Sequence, residues 1–265
     1  MDNVSHRVPP WFSMCELFGL SASCCFQGVQ FPLAEFGQRG GASADNPDGW
    51  GIAWREHGAF RLDKAPEPAA GSERYASLIG SVHTDLLIAH VRKANFPPIN
   101  TLNNTHPFLH DCCQRHWAFA HNGMVPTIVG LELANGKRVC RPAGETDSEF
   151  AFCHLLSHVS LHDREDDGAS DWLAVLGGIS ELIARHGKFN FLLSDGEHLI
   201  AYGHDRLHYR ENTAEQQVSV WIATEPLGDA AGWTPFAPGE LRIYRAGVRV
   251  TGMFTPPPQT TARTG

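Results

Sequence analysis

The sequence lacks the features that mark membrane, nucleic-acid-binding and secreted proteins. None of its apolar runs approaches the length needed to span a bilayer. Its 21 lysines and arginines are outnumbered by 29 acidic residues, and the formal net charge is -8. Because nucleic acids and anionic membranes bind basic surfaces, neither is an expected partner. Residues 2–13 have neither the basic start nor the apolar stretch of a secretory signal, so we expect a cytoplasmic protein.

Cysteine and histidine are present without the spacings that bind metals or carry out redox chemistry. The seven cysteines include adjacent pairs at 24–25 and 112–113, which cannot readily bridge each other, and no CxxC motif occurs. Fifteen histidines occur without an HExxH motif. We therefore expect no cofactor and no metal, and one special thiol among six ordinary ones in a reducing cytoplasm.

The composition is ordinary for a globular protein with a substantial core, since 42% of the residues are hydrophobic and 19% are charged. The length of 265 residues suits one large domain, and no internal repeat or linker divides it. We expect this domain over residues 15–252. An N-terminal extension, residues 1–14, precedes it, and a proline-rich disordered tail, residues 253–265, follows it.

Short apolar and aromatic runs predict strands on both sides of a helical segment. Asp195-Gly196 is a hairpin-turn signal between two of these runs. Residues 38–48 are glycine-rich and polar, which indicates a loop. The predicted strands are residues 16–21, 49–54, 86–91, 117–121, 189–194, 198–202, 218–224, 241–244 and 248–251.

Three segments predict helices. Residues 146–149 (TDSE) are a capping box, which opens a helix. A second long helix covers about 171–185 and stops at Gly187, and a short one covers 72–79. Strands, then helices, then strands again indicate sheets packed together with helices outside. The expected buried faces are Phe152, Leu155, Leu156 and Val159 on the first helix, and Trp172, Leu176, Ile179 and Ile183 on the second.

Cys15 stands directly behind Met14, and this position has chemical consequences. A chain that begins at Cys15 carries both a thiol and a free α-amine on one residue. An α-amine has a pKa of about 7.7–8.0, so part of it is neutral near pH 7 and can accept the thiol proton. Inside a chain the same nitrogen belongs to an amide and is not a base.

Residues 1–14 therefore have three interpretations. They follow an upstream start, or were added to the N terminus, and are missing from the working protein. Alternatively they are a pro-segment that is cut off, or an ordinary arm before a buried structural cysteine. The third interpretation would stand alone only if the rest of the sequence carried no catalytic motif.

Two motifs precede the middle of the chain. Arg92 ends an apolar strand in residues 89–94 (AHVRKA), where it is either a surface arginine or a bidentate ligand for a carboxylate. Residues 103–108 (NNTHPF) place polar side chains before a proline, which often only builds a turn.

Two further motifs follow. Asn122 and Gly123, in residues 119–123 (FAHNG), form a hairpin turn or aim two hydrogen-bond donors at one oxyanion. Asp147, in residues 144–149 (GETDSE), belongs to the helix cap or holds a substrate ammonium. Each motif is weak on its own.

The order of the motifs is more specific than any one of them. After Cys15 the sequence runs RGG, GWGIAW, HVRKA, NTHPF, HNG and GETDSE, with further agreement in residues 189–196 and 222–227. In this order they resemble the class II glutamine amidotransferases of the N-terminal-nucleophile hydrolase superfamily, and most closely the small stand-alone YafJ-type members. The resemblance extends from about Met14 to about Arg245.

This resemblance implies a role for each matching residue. Cys15, as the mature N terminus, is the nucleophile, and its amine is the base. Asn122 and Gly123 form the oxyanion hole. Arg92 binds the α-carboxylate of glutamine and Asp147 binds its α-ammonium. The other implied residues lie near the substrate and the thiol: Arg39, Trp50, Gly51 and His106.

The resemblance also implies an α+β fold, a four-layer αββα sandwich of two stacked, mainly antiparallel sheets with helices outside. One departure concerns the arginine motif. In glucosamine-phosphate-synthase-type relatives it continues with Trp and later His, whereas this chain has Lys93 and Phe96. We therefore expect the carboxylate side of the pocket to be built differently.

The implied reaction releases ammonia from the side-chain amide of glutamine through a γ-glutamyl thioester, for an acceptor bound by a separate synthase. One alternative is hydrolysis of a larger γ-glutamyl small molecule, as in ergothioneine-pathway relatives with a similar arginine motif. Another is a non-catalytic module that keeps the fold. A papain-like Cys–His protease is a remote alternative, because no suitable Cys–His context is visible.

Overall fold

The structure, a computed structural model, describes residues 15–28, 32–95, 98–162, 171–214 and 217–257. Five α-helices lie in these ranges: α1 (Leu33–Gln38), α2 (Glu73–Ser81), α3 (Thr127–Ala134), α4 (Asp147–His162) and α5 (Asp171–Ala184). The strands are β1 (Glu16–Gln27), β2 (Trp50–Glu56), β3 (Ala59–Ala65), β4 (His83–Val91), β5 (Phe108–Cys112), β6 (Arg115–Met124), β7 (Lys188–Ser194), β8 (His198–Gly203), β9 (His208–Ala214), β10 (Gln217–Ala223), β11 (Thr234–Pro235), β12 (Glu240–Arg245) and β13 (Val248–Phe254).

The strands form two sheets. The first has seven strands in the order β11-β9-β10-β1-β4-β2-β3, and the second has six in the order β13-β12-β8-β7-β6-β5. Neighbouring strands pair antiparallel in both sheets. Strand β1 is central in the first sheet, because it pairs with β10 on one side and β4 on the other.

Three buried apolar clusters show how the layers stack. One lies between the two sheets and includes Leu17, Ala120 and Ile222. A second joins the outer face of the first sheet to α1 and α2, and a third joins the outer face of the second sheet to α3, α4 and α5. The predicted four-layer αββα sandwich is therefore confirmed. No helix in the described part of the chain combines the length and apolarity that crossing a bilayer requires.

Side-chain alternation along β1 sets the position of the special cysteine. Leu17 faces the space between the sheets, whereas Phe18 belongs to the outer cluster under α1. Because side chains in a strand alternate between faces, Cys15 has the parity of Leu17. It stands immediately before β1, at one end of the space between the sheets.

All nine predicted strands are found, with their ends within one residue of an observed strand or inside it. The predicted faces of α4 and α5 are also found, since Phe152, Leu155, Leu156 and Val159 are fully buried and Leu176 and Ile183 have no exposed surface. The side chain of Trp172 and residues 1–14 lie outside the described residues.

Some predictions are wrong or incomplete. Strand β13 continues to Phe254 and the Thr255 nitrogen donates to the Gly239 oxygen at 2.9 Å, so the domain boundary at residue 252 is too early. The elements that the sequence did not predict are β3, β5, β9, β11, α1 and α3. Most of these strands are polar or lie at sheet edges, where the apolar signal is weak.

Candidate active site

Cys15 is held against the chain that follows β4. The Lys93 nitrogen donates to the Cys15 Sγ at 3.3 Å, and the thiol donates to the Lys93 oxygen at 3.4 Å. Burial raises the pKa of the Cys15 thiol to about 11, although the Lys93 backbone and the Arg92 charge oppose this rise. The thiol is therefore protonated near neutral pH, and a nucleophilic role requires a base.

The loop before β2 fixes the segment that contacts the thiol. The Arg92 nitrogen donates to the Gly49 oxygen at 2.8 Å, and the Asp48 nitrogen donates to the Arg92 oxygen at 3.0 Å. The Asp48 carboxylate accepts the Ala94 N–H at 2.8 Å, and the Lys93 Nζ lies 2.6 Å from the Asp45 Oδ2. These contacts hold residues 92–94 in place beside Cys15.

Only one nitrogen of the Arg92 guanidinium forms hydrogen bonds with the described residues. Its Nη1 lies within hydrogen-bond distance of the Asp48 oxygen, the Ile99 oxygen and the Asn100 Oδ1, at 3.4, 3.2 and 3.0 Å. Within the described ranges its Nε and Nη2 have no hydrogen-bond partner. A buried guanidinium with two free donor nitrogens is suited to a carboxylate ligand. Phe96, the other residue of the departure in this motif, lies outside the described residues.

Asp147 begins α4 and is tied to the chain after β6. Its Oδ2 accepts the Val125 N–H at 2.6 Å, and its Oδ1 takes no part in that hydrogen bond. The Asp147 charge raises the pKa of Cys15 whereas the Arg92 charge lowers it. An anion and a cation therefore both act on the pKa of the thiol.

His121 supports the start of α4 from β6. Its Nε2 lies 3.0 Å from the Lys188 oxygen and its Nδ1 lies 2.9 Å from the Ser148 Oγ. Burial lowers the pKa of His121, so the ring is neutral. Because a carbonyl only accepts, Nε2 donates to Lys188 and Nδ1 accepts the Ser148 hydroxyl. This fixes the residue that follows Asp147.

The predicted capping box is formed in one direction only. The Thr146 Oγ1 accepts the Glu149 N–H at 3.3 Å, as predicted. The Glu149 carboxylate accepts the N–H groups of Ala143 and Gly144, at 3.0 and 2.8 Å, rather than that of the capping residue. Burial opposes ionisation of Glu149, but the bonds from His110 and these two amides outweigh it and lower its pKa.

Asn122 and Gly123 lie within β6, so the hairpin-turn interpretation is wrong. They pair with Asn190 and Phe189 of β7. Gly123 has φ 152°, and an added Cβ would lie 1.9 Å from the Lys188 oxygen. Only glycine fits at this position, because both the backbone angle and the close neighbour exclude a side chain.

The Asn122 side chain is buried among polar groups that the sequence analysis did not assign. Its Nδ2 lies 3.2 Å from the Thr224 Oγ1, and its Oδ1 is buried without a partner in the described chain. The Asn190 side-chain amide donates to the Asn122 backbone oxygen at 3.2 Å. Thr224 and Asn190 both lie in segments that carry the family resemblance. The sequence signal that could have identified them is a polar residue within a buried apolar run, because a buried polar group needs a hydrogen-bond partner.

Arg39 reaches the strand that follows Cys15. Its Nη1 donates to the Glu16 Oε2 at 2.7 Å, and its Nη2 donates to the Pro226 oxygen at 2.6 Å. The Nη1 also lies 3.3 Å from the Glu225 oxygen. Arg39 therefore joins the residue next to Cys15 to the chain after β10.

Three other implied residues lie in the packing around the site. Trp50 is buried in the outer cluster and packs edge-on against Tyr75, with ring centroids 5.2 Å apart. A Cβ on Gly51 would lie 2.2 Å from the His106 oxygen, so glycine lets that loop approach β2. The buried His106 ring packs against the His90 ring, with centroids 4.2 Å apart, and burial lowers the pKa of His106. Their position favours support of the site over contact with the thiol.

One cysteine pair corrects the expectation of six ordinary thiols. Cys140 and Cys153 form a disulfide that joins the loop before α4 to the helix itself. With His110 they are also a group whose potential metal-ligating atoms all lie within 4.8 Å of one another. Sulfurs that are bonded to each other are not thiolate ligands, so the group suits a soft metal ion only when the pair is reduced.

Comparisons with known proteins point to one family. The family profile described as "Glutamine amidotransferases class-II" matches residues 14–214. The Escherichia coli (strain K12) protein YafJ is 33% identical over 261 residues, which span 89% of this chain and 100% of YafJ. The 2.0 Å crystal structure of a predicted glutamine amidotransferase from Pseudomonas aeruginosa has a TM-score of 0.68 and 30% identity, and covers 89% of this chain and 100% of that one.

Two more distant proteins carry different names. The γ-glutamyl-hercynylcysteine sulfoxide hydrolase of Mycobacterium tuberculosis (strain H37Rv) is 26% identical over 211 residues, 78% of this chain and 80% of the relative. The glutamine phosphoribosylpyrophosphate amidotransferase of Bacillus subtilis has a TM-score of 0.64 and 18% identity. It covers 91% of this chain and 49% of that chain, and at this identity it shows a shared fold alone.

Proposed function

This chain belongs to the class II glutamine amidotransferases, and we propose that it hydrolyses the side-chain amide of glutamine with Cys15 as its N-terminal nucleophile. One observation carries the proposal: the Cys15 thiol lies at the end of the central strand β1, under the influence of a buried cation, Arg92, and an anion, Asp147. A zwitterionic amino acid offers the two opposite charges that this pair would bind.

The proposed mechanism uses the α-amine of Cys15 as the base. Residues 1–14 are absent from the working enzyme, so the Cys15 nitrogen is an amine with a pKa of about 7.7–8.0. It takes the thiol proton, and the sulfur attacks the amide carbon of glutamine. The carbon–nitrogen bond then breaks, and ammonia leaves with the proton that the amine received. Water hydrolyses the resulting γ-glutamyl thioester, which regenerates the thiol.

In this mechanism Asn122 and Gly123 stabilise the tetrahedral intermediate. The Asn122 amide and the Gly123 N–H supply the two donors of an oxyanion hole. Two features of the structure support this role. Asn122 has the strand parity of Ala118 and Ala120, which face the space between the sheets as Leu17 does. The Asn122 amide also contacts Thr224, which in turn binds the Leu17 N–H.

Arg92 and Asp147 bind the two charges of the substrate and set its length. Their fixed contacts hold both groups still relative to the thiol, so the distance from the α-carbon to the amide decides which substrate reacts. We expect glutamine to be hydrolysed and asparagine, which is one methylene shorter, to react poorly. Arg39, Trp50, Gly51 and His106 support the loops around this pocket.

The test compares two purified forms of the chain, one beginning at Cys15 and one retaining residues 1–14, by ammonia release from glutamine and from asparagine. The proposal predicts release from glutamine by the first form only, and none from its Cys15→Ala variant. Equal rates with both amides would refute the pocket. Full activity of Cys15→Ala would refute the nucleophile.

A second candidate reaction is the hydrolysis of a larger γ-glutamyl small molecule. The M. tuberculosis relative, named as a γ-glutamyl-hercynylcysteine sulfoxide hydrolase, favours it, as does Lys93 in place of Trp. Both reactions use the same thiol and differ in whether bulk beyond the amide nitrogen is accepted. A series of N-substituted γ-glutamyl amides separates them, since a glutaminase loses activity as the substituent grows.

Two further roles differ in whether the chain produces ammonia at all. In a glutaminase that serves a synthase, a separate protein binds the acceptor and uses the ammonia. In a non-catalytic module, residues 1–14 stay attached and the α-amine never forms. The intact mass of protein from its native source separates these roles, because only the first requires a chain that begins at Cys15.

A further inference from the structure

Thr224 is a buried hydroxyl that joins two strands of the site. It follows β10 directly, has no exposed surface, and shares the parity of Val220 and Ile222, which face the space between the sheets. Its Oγ1 accepts the Leu17 N–H at 2.9 Å and lies 3.2 Å from the Asn122 Nδ2. Leu17 is two residues from Cys15. One hydroxyl therefore contacts both the strand of the nucleophile and the side chain of Asn122.

The placement of the Asn122 amide leaves two buried groups unsatisfied. With Nδ2 towards Thr224, the hydroxyl oxygen receives two N–H donors, and among the described residues its own hydrogen has no acceptor. The Asn122 Oδ1, on the other side of the amide, is buried and has no donor among those residues. A buried polar atom without a partner costs about 1–3 kcal/mol, so this arrangement is unfavourable.

Exchanging the oxygen and nitrogen of the amide removes this mismatch. The two atoms have nearly the same size, and their assignment follows from the hydrogen-bond network. After the exchange the Thr224 hydroxyl donates to the Asn122 Oδ1 across the same 3.2 Å and still accepts the Leu17 N–H. The amide NH₂ then occupies the buried position that has no partner among the described residues, and it is free to donate to a ligand.

We propose that Thr224 is the positioning residue that orients the Asn122 amide with its NH₂ towards the oxyanion. The inference rests on the proposed function, because it assumes that an oxyanion forms at Cys15. The Thr224 hydroxyl preorganises the donor, because it fixes the Asn122 amide before the substrate binds. The amide then needs no reorientation as the charge develops. The same hydroxyl holds the Leu17 nitrogen, so it also fixes the donor relative to β1.

The test uses Thr224→Val, which removes the hydroxyl and keeps the shape, and Thr224→Ser, which restores it. Removing an oxyanion donor outright costs about 10²–10³ in kcat, so a misoriented donor should cost about 10- to 100-fold. We expect this loss in kcat for Thr224→Val, with KM changed less than about 2-fold, and recovery in Thr224→Ser. Thr224→Ala is the second variant if Thr224→Val does not fold.

A matched control separates orientation from stability. Thr84 is also a fully buried threonine of the first sheet, and its hydroxyl contacts the Arg55 and Leu86 oxygens at the opposite end of β4 from Cys15. Thr84→Val should lower the melting temperature as Thr224→Val does, yet leave kcat unchanged. A kcat of Thr224→Val equal to that of the parent would overturn the inference and leave the proposed function standing.

A double variant asks whether Thr224 acts through Asn122. In the Asn122→Ala background, adding Thr224→Val should change kcat less than about 2-fold, because the donor it orients is already gone. A full 10- to 100-fold loss in that background would show a separate effect and overturn the inference. A parent enzyme that releases no ammonia from glutamine would instead refute the proposed function, and this inference with it.

Discussion

The Cys15 Sγ lies 3.3 Å from the Lys93 nitrogen, and that contact joins the start of β1 to the segment that also contains Arg92. The bond places the thiol next to a cation, yet burial still raises its pKa to about 11. A thiol in this state is a poor nucleophile at neutral pH. The chemistry of the site therefore depends on what removes the thiol proton.

The first prediction concerns the pH dependence of the thiol. In the chain that retains residues 1–14, alkylation of Cys15 by iodoacetamide needs the thiolate, whose fraction rises as pH rises towards the raised pKa. We expect the rate, followed by mass spectrometry of the peptide containing residue 15, to increase about 10-fold per pH unit between pH 7 and 10. A rate that levels off below pH 9 would contradict the raised pKa.

In the chain that begins at Cys15, glutamine hydrolysis should follow the amine rather than the thiol. We expect kcat/KM to rise up to about pH 8 and then level off, because the α-amine is neutral above its pKa of about 7.7–8.0. A profile that keeps rising towards pH 11 would show that the amine is not the base.

The second prediction concerns the ammonium site. Asp147→Asn keeps a group that can accept the Val125 N–H but removes the charge. A hydrogen bond to a charged group contributes about 1.5–3 kcal/mol, so KM for glutamine should rise about 10- to 150-fold. Glu145→Gln, which changes an exposed carboxylate two residues away, is the matched control and should leave KM unchanged.

A substrate without the α-ammonium provides the second arm of that experiment. The amide of glutaric acid has the carboxylate and the amide of glutamine but no amino group. The parent and Asp147→Asn should hydrolyse it with similar kcat/KM values. A further loss with this substrate in the variant would mean that Asp147 acts on something other than the ammonium.

The third prediction concerns the backbone of β6. Gly123→Ala places a Cβ 1.9 Å from the Lys188 oxygen at φ 152°, so β6 and β7 must separate where they pair. We expect a loss of more than about 3 kcal/mol of unfolding free energy, measured by urea denaturation, or no folded protein. Gly178→Ala, on an exposed turn of α5 with open space around it, should be neutral or stabilising.

The fourth prediction concerns the Cys140–Cys153 disulfide, which closes a short loop with a sequence separation of 13. A loop of that length stabilises the folded chain by about 3 kcal/mol. The melting temperature should therefore fall on addition of dithiothreitol and in Cys140→Ser. Dithiothreitol should not change it further in that variant. An unchanged melting temperature in both conditions would show that the pair is reduced.

Much of the fold was predictable because the strands that build the core have strong apolar patterns. Runs such as those of β4 and β7 are buried on both faces, so their composition alone marks them. Edge and polar strands such as β9 were not predicted, because tertiary pairing forms them against their own composition. The hairpin turn predicted at Asn122-Gly123 is wrong for the same reason, because pairing with β7 overrides the strong local turn signal.

The candidate site was predictable only in part. Cys15, Arg92, Asp147 and the Asn122-Gly123 pair could be proposed as site residues because their motifs follow one another in the order that carries the resemblance. Thr224 and Asn190 could not be assigned roles, because their side chains act through hydrogen bonds to residues distant in sequence, such as Leu17 and Asn122. The Cys140–Cys153 pair also could not be read from spacing, since it depends on how the loop before α4 returns to the helix.

The most direct test of the account is to identify the residue that carries the acyl group during turnover. The enzyme is mixed with glutamine, quenched in acid within the first turnover, digested, and analysed by mass spectrometry. The account predicts a γ-glutamyl group on the sulfur of a peptide whose first residue is Cys15. Brisk ammonia release by a chain that still carries residues 1–14, with the acyl group elsewhere or absent, would contradict it.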